Sequence, residues 1–465
     1  MKVRLTAATV AAAAGGDLVA GDPERLIDGF SIDSRTLAAS DLFLAIRGER
    51  FDGHRFIGAA FERGAAGVIV DDKAAVASVP EGAVAVVVTE TVAGLQSLAR
   101  YVRRESQAKV TAITGSAGKT TTKETAAAFL GRRYSVFRNK GNLNNHIGLP
   151  LSLLELRHGP DMAVVELGMN HAGEISTLVG IAEPEVRVWT NVGPAHLEFF
   201  ASVDAIADAK AEIFEGARSN QVLVANADDP LVMARTPRFG GRLVTFGFGP
   251  SADVRASHVR DRGLDGMEAE LHTPSGSVTL QSPLIGRANL SNVLAAAAVA
   301  LQFQVSLADV SAATGSLQPM RHRGEVRRLA RGLTVIDDSY NSNPAALERA
   351  LQVIDGVRGQ RRIAVIGEML ELGQASTALH ERCGRAVAAT SLDSLVTVGG
   401  EPARALGQAA VAAGMPAGSV VHTPTSAEAA DVLSQLVAEG DVVLVKGSRG
   451  IRTEKVVERL VTEWT

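Results

Sequence analysis

The stretch Ala112-Ile113-Thr114-Gly115-Ser116-Ala117-Gly118-Lys119-Thr120-Thr121 sets small residues, a lysine and hydroxyls in the order that cradling a phosphate requires. An apolar, β-like run from Val110 to Ile113 precedes it, and a helical pattern from Lys123 to Leu130 follows. In such a strand–loop–helix unit, backbone N–H groups of the turn and of the helix N-terminus point at an anion, and the helix dipole adds to the attraction. Lys119 can reach terminal phosphates, and the Thr120 hydroxyl is placed for Mg²⁺. The common form of the motif has a glycine five residues before Gly118. Ile113 stands there and Gly115 is the first glycine, so this loop is a shortened variant. The competing interpretation is a plain Gly/Ala turn with a surface lysine; the flanking strand and helix favour the cradle.

Other candidate groups lie at the ends of apolar runs. Glu166 follows Met162 to Val165 and is placed as a Mg²⁺ ligand or water-orienting base, with a solvated loop carboxylate as the alternative. Asn191 and His196 follow Val186 to Thr190, and Asn226 and Asp228 follow Gln221 to Ala225. Lys210 projects from a helical stripe made by Ile206, Ile213, Phe214 and Ala217 within Ala205 to Ala217. It either snorkels outward or is buried with a lowered pKa, leaving a neutral amine that can take up CO₂ and become an anionic carbamate. Asn289 and Asn292, three apart at the start of the helical run Val293 to Leu301, either face one ligand or cap the helix. In Asp337-Asp338-Ser339-Tyr340-Asn341-Ser342-Asn343-Pro344, capping accounts for Asn343 and Pro344 alone. Lys446-Gly447-Ser448-Arg449 ends another strand in the same way.

These groups need a large scaffold. A chain of 465 residues accommodates about two to four domains. Its 46 % hydrophobic and 21 % charged content is that of a globular protein. A net charge of −4 and 4 % aromatic residues argue against nucleic-acid binding. The single cysteine, Cys383, excludes an internal disulfide and points to a reducing compartment. Lys2 and Arg4 before an Ala/Thr run faintly resemble a secretion signal, but the run is too weakly apolar, and a short helix closing at Gly15-Gly16 is expected. No run of 18 apolar residues suggests a membrane span.

The expected architecture is α/β in three domains. Residues 1–88 read as a small α+β module containing Ser31-Ile32-Asp33-Ser34-Arg35 and Phe51-Asp52-Gly53-His54, which ordinary turn chemistry also explains. Residues 89–315 alternate strand and helix, predicting a parallel sheet with helices on both faces and ligands beyond the strands' carboxyl ends. Residues 316–465 read as a Rossmann-like unit lacking G-x-G-x-x-G, so a dinucleotide is not expected.

Taken together, Thr114 to Thr121, Asp33-Ser34-Arg35, Asn142-Leu143-Asn144-Asn145, Glu166-Leu167-Gly168-Met169 and Asn191-Val192-Gly193-Pro194-Ala195-His196 resemble the motifs of the Mur ligases. Those are the ATP-dependent amide-forming enzymes of peptidoglycan precursor synthesis. Asp337 to Pro344, Glu368-Met369-Leu370-Glu371-Leu372-Gly373 and Lys446 to Arg449 resemble the member acting last, which joins D-alanyl-D-alanine to UDP-N-acetylmuramoyl-tripeptide.

The resemblance implies a domain for the UDP end of the substrate, a central ATPase, and a C-terminal domain that closes over ATP. It implies ATP held by residues 114–121, two Mg²⁺ ions held by Thr120, Glu166, His196 and carbamylated Lys210, and Asn289 and Asn292 beside the adenine. Arg323 would reach the phosphates, and Asp338 the ribose or a metal-bound water. Lys119, His196, Lys210 and Arg323 would carry the catalysis. Asp33, Ser34 and Arg35 would meet the uracil-ribose end, Asn142, Asn144 and Asn145 the sugar-peptide, and Tyr340, Asn341 and Asn343 the incoming dipeptide. A cytoplasmic monomer is expected. A P-loop NTPase driving motion or partner binding, and a catalytically silent nucleotide-binding module, are the alternatives from other classes. A polyglutamate-adding ligase would not need the N-terminal module.

Overall fold

The computed structural model describes residues 2–48, 51–195 and 197–465, and its strands gather into three sheets. The first holds β1 (Asp17–Ala20), β2 (Gly29–Ser31), β3 (Asp41–Leu44), β4 (Gly67–Val70) and β5 (Val84–Val87) in the order β1-β5-β4-β3-β2. Only the β1–β5 pair is antiparallel. β4 and β5 are buried along their whole length, as near-continuous Val/Ile runs in a parallel sheet should be. Helix α1 (Ala7–Ala13), capped by Thr6, is the short N-terminal helix expected from the sequence, and α2 (Ile57–Glu62) packs on the same sheet.

Helix α3 (Thr91–Ser106) leads into the central unit. Glu90 caps it by accepting from the N–H groups of Val92 and Ala93, and its stripe Leu95, Leu98, Ala99 and Val102 is wholly buried. The nine-stranded sheet contains β6 (Lys109–Thr114), β7 (Val136–Arg138), β8 (Met162–Glu166), β9 (Val186–Trp189), β10 (Val222–Asn226), β11 (Arg242–Gly247), β12 (Val254–Asp261), β13 (Met267–Thr273) and β14 (Gly276–Ser282). Their order is β14-β13-β12-β11-β10-β9-β6-β8-β7. The expected parallel sheet spans β7 to β12, while β12, β13 and β14 extend it as antiparallel strands that the sequence analysis did not anticipate. Their signal is alternation: Met267, Ala269 and Leu271 are buried, and Glu268, Glu270 and His272 between them are not.

Around this sheet lie α4 (Lys119–Leu130), α5 (Gly148–Leu153), α6 (Glu174–Ala182), α7 (Val203–Ala211), α8 (Pro230–Met233), α9 (Arg287–Gln302) and α10 (Leu307–Gly315). Helix α9 is a core helix: Val293 to Ala300 are all fully buried, and its alanines let α4 approach closely. It starts at Arg287, six residues earlier than its apolar run suggests, behind a Gly286 cap. Asn289 and Asn292 therefore lie inside the helix rather than capping it. Helix α7 ends at Ala211 with a 3₁₀ turn, Glu212–Phe214, short of the expected Ala217. The Glu212 carboxylate turns away to accept from the N–H groups of Gly173 and Ser176 at the start of α6. Buried Arg187 takes the carbonyls of Ile213 and Glu215, which ends the helix.

The third sheet runs β15-β16-β20-β17-β18-β19: β15 (Glu325–Arg328), β16 (Thr334–Asp338), β17 (Arg362–Gly367), β18 (Ser394–Val398), β19 (Val420–Thr423) and β20 (Val442–Lys446). Edge strands β15 and β19 are short and partly exposed and carry little apolar pattern. Helices α11 (Pro344–Asp355), α12 (Ser376–Ala388), α13 (Glu401–Ala412), α14 (Ser426–Leu436) and α15 (Glu454–Glu463) cover it. Cys383 is fully buried in α12, and burial pushes its thiol up to about 12.

Candidate active site

A cleft of about 630 Å³ lies where the carboxyl ends of β6 and β8 meet α9, α11 and the turn after β16. Its floor is the predicted cradle. Neighbouring backbone and side chains from residues 190–193 hold the loop open: Ser116 N–H donates to Asn191 O at 3.0 Å and Ala117 N–H to Asn191 Oδ1 at 2.9 Å. Thr190 Oγ1 donates to Ala117 O at 2.7 Å. Gly118 has φ +82°, and a Cβ there would fall 2.2 Å from Asn292 Oδ1, so only glycine fits beneath α9. Lys119 folds back, with Nζ donating to Gly115 O at 2.7 Å. Burial lowers its pKa, and nearby Arg323 adds to the lowering against the pull of Glu166.

Glu166, 3 % exposed, accepts from Thr120 Oγ1 at 2.8 Å on one oxygen and from Asn144 Nδ2 at 2.7 Å on the other. A hydroxyl and a carboxylate at hydrogen-bond distance are hard oxygen donors of the kind Mg²⁺ takes. Lys210 lines the same cleft and does not snorkel: it is 2 % exposed, and its Nζ has no hydrogen bond among the described residues. Burial, helped by the charge of Lys119, drives its pKa well below the usual lysine value. His196 lies outside the described residues.

The opposite wall comes from the C-terminal unit. The Arg323 guanidinium stacks 3.9 Å from the Tyr340 ring centroid, and Tyr340 N–H donates to His322 O at 3.0 Å. Asp338 is paired with buried Lys446, whose Nζ donates to it at 2.6 Å and to Asn341 O at 3.0 Å. Asn343 caps α11 through Oδ1, which accepts from Ala346 N–H, and Asn145 likewise accepts from Gly148 N–H at α5. Both border the cleft with those oxygens already engaged.

The cleft thus gathers residues 116–121, Asn142, Asn144, Asn145, Glu166 and Lys210 with Asn289, Asn292, Arg323, Asp338 and Tyr340 to Asn343. Thr114 lies beneath the loop as the last residue of β6, its N–H and C=O in the sheet. Asp33, Ser34 and Arg35 follow β2 in the first sheet and do not border this cleft. There Arg35 grips Asp33 with two guanidinium hydrogen bonds, which hold the Asp33 carboxyl down at about 2.

Three cleft residues escaped the sequence analysis as site candidates. Lys446 stood in a noted motif without an assigned role. Arg287 stacks on Phe248 at 3.8 Å, and the guanidinium of half-buried Arg349 on α11 has no hydrogen bond among the described residues. On an amphipathic helix such an arginine carries no pattern that separates it from a solvated one.

A phosphate cradle closed over by a second α/β unit defines a nucleotide-dependent enzyme whose site is assembled from two domains. Family models match nearly the whole chain: "Mur ligase family, catalytic domain" at residues 26–114, "Mur ligase middle domain" at 113–300 and "Mur ligase, glutamate ligase domain" at 322–449. The chain belongs to the Mur ligase family, the ATP-dependent ligases. It is 33 % identical to the UDP-N-acetylmuramoyl-tripeptide–D-alanyl-D-alanine ligase of Bacillus subtilis over 94 % of both chains. Its fold matches the crystal structure of MurF from Acinetobacter baumannii with a TM-score of 0.90 at 33 % identity, covering 99 % of each. It also matches Thermotoga maritima MurF ligase in complex with ADP, with a TM-score of 0.81 at 31 % identity over 94 % of this chain and 98 % of that one.

Proposed function

We propose that this chain uses ATP to join D-alanyl-D-alanine to UDP-N-acetylmuramoyl-tripeptide through an acyl phosphate, in cytoplasmic peptidoglycan precursor synthesis. The observation that carries the reading is that one cleft holds the phosphate cradle, the Asn142–Asn145 loop and the turn after β16.

A carboxylate resists an amine because it is anionic and has a poor leaving group. Transfer of the γ-phosphoryl group from ATP to the peptide carboxylate releases ADP and removes both obstacles. The dipeptide amine then attacks the acyl carbon, and the tetrahedral intermediate expels phosphate. The first step brings anions together, so the work is neutralisation and alignment. Residues 114–121 form the cradle, in which the N–H groups at the start of α4 and the Lys119 amine meet the phosphates. Arg323, stiffened by its stack on Tyr340, brings a second fixed charge from the other wall. Asn289 and Asn292 flank the nucleotide at the start of α9, and Asp338 approaches the ribose.

Thr120 and Glu166 would hold Mg²⁺, with His196 and a carbamate of Lys210 completing two ion sites; the ions supply charge neutralisation when bound. Burial favours the uncharged form of the Lys210 amine, and that is the form that adds to CO₂. Asn142, Asn144 and Asn145 seat the sugar-peptide, Tyr340, Asn341 and Asn343 the dipeptide, and Asp33, Ser34 and Arg35 the UDP end on the first sheet. Residues 1–88, 89–315 and 316–465 act as the three domains. Both cleft walls come from one chain, so a monomer suffices.

The test is phosphate release with ATP, the muramoyl tripeptide and D-alanyl-D-alanine, each omitted in turn. Full release requires all three and accompanies a longer peptide. Equal ATP cleavage without the muramoyl acceptor would overturn the reading in favour of an uncoupled NTPase.

A further inference from the structure

Lys123 stands one helical turn after Lys119 on α4, yet it faces neither the cleft nor solvent. Its side chain is 1 % exposed, and Nζ donates to Asn139 O at 2.6 Å. Glu124, 3.3 Å from the same Nζ, also pairs with Arg138, so the charge is balanced beside the strand that ends there. A buried ammonium is costly, and an apolar residue would fill the space more cheaply unless the charge-assisted bond has a task. Asn139, also 1 % exposed, uses its amide in two directions. Nδ2 donates to Leu143 O at 2.8 Å, and Oδ1 accepts from Glu166 N–H at 3.2 Å. The chain between Asn139 and Leu143 is thereby pinned at its base. Beyond it, Asn144 returns to the same place: Nδ2 donates to Glu166, and its carbonyl accepts from Gly168 N–H at 2.8 Å. Thr120, on α4, donates to the other Glu166 oxygen. The contacts form a ring running from α4 through Lys123, Asn139, the 140–145 loop and Glu166 back to α4.

We infer that Lys123 and Asn139 are positioning residues that seat the 140–145 loop against the nucleotide cradle, so that the acceptor carboxylate meets the γ-phosphate in register. This rests on the reading of that loop as the acceptor wall. Neither residue touches the cleft, so each acts through the loop it holds.

Two variants separate the parts. Lys123→Met keeps the aliphatic stem but leaves Asn139 O without its donor. Asn139→Asp keeps an oxygen for Glu166 N–H and removes the donor to Leu143 O. Each should raise the KM for UDP-N-acetylmuramoyl-tripeptide about tenfold or more, the scale of an orphaned buried polar group. The Kd for ADP should change far less, because the cradle amides are untouched. The double variant should be little worse than the more affected single one, since both break one chain of contacts. An unchanged acceptor KM, or an ADP affinity that falls as far as the acceptor's, overturns the inference. A measurement on the unaltered chain covers variants that fail to fold: ADP should slow amide hydrogen exchange at 139–145 as well as at 115–121. Protection confined to 115–121 overturns it too. If the unaltered chain shows no acceptor-dependent turnover, the proposed function fails instead, so the two failures are told apart.

Discussion

Half-buried Lys119 and fully buried Lys210 both line the cleft with pKa values that desolvation lowers, and they differ in what engages them. Lys119 already has a carbonyl partner and lies in the cradle, so bound phosphates would favour its charged form and raise its pKa again. ADP binding at alkaline pH should therefore take up a proton, read from binding enthalpies in buffers of different ionisation enthalpy. Lys119→Ala should abolish that uptake and slow turnover by roughly 10²–10³-fold with the fold retained. Near-normal turnover would refute the loop's role. Lys210 has no such partner among the described residues, which fits an amine waiting for CO₂. Lys210→Ala should lose activity that added short carboxylic acids partly restore; full activity without them would refute the carbamate.

At the scale of elements, the cradle depends on the fit between α4 and α9. The alanine run of α9 lets it lie against the start of α4, which leaves Asn292 directly over Gly118. Gly118→Ala places a methyl group against Asn292 Oδ1 in a backbone conformation that disfavours it. A loss of about 1–3 kcal/mol is expected. Thermal unfolding should shift down and ADP affinity should weaken together. A variant losing neither would mean that this contact does not set the loop.

Across the whole molecule, the C-terminal unit meets the central one at several places, among them Arg328 donating to Asp265 and Ile285 packed into the core of the third sheet; two of the contacts bear on closure of the cleft. One is the linker bearing Arg323. The other is the loop before α12, where Glu371 O accepts from Glu198 N–H at 3.2 Å. At that second contact Gly373, φ +55°, leaves room for only 3.0 Å between its absent Cβ and Glu198 Cα. Gly373→Val should wedge the contact open and admit water to the acyl phosphate. Phosphate release should then exceed ligated peptide, whereas the unaltered chain should give one of each. Equal yields from the variant would show that this contact does not seal the site.

The sequence alone determined what local rules encode. Strand, glycine loop, Lys119-Thr120 and helix are contiguous, so their chemistry shows in order and spacing. The Asn343–Pro344 helix start is equally local. The buried state of Lys210 was decided only in three dimensions, because the apolar stripe fits an outward lysine as well until the sheet covers it. Lys446 paired with Asp338, Arg323 stacked on Tyr340 and Asn139 braced by Lys123 all join residues whose partnership no spacing announces. Tertiary packing chose those partners because a buried charge or amide must find one, and which groups lie within reach is settled only when the sheets and helices have closed around it.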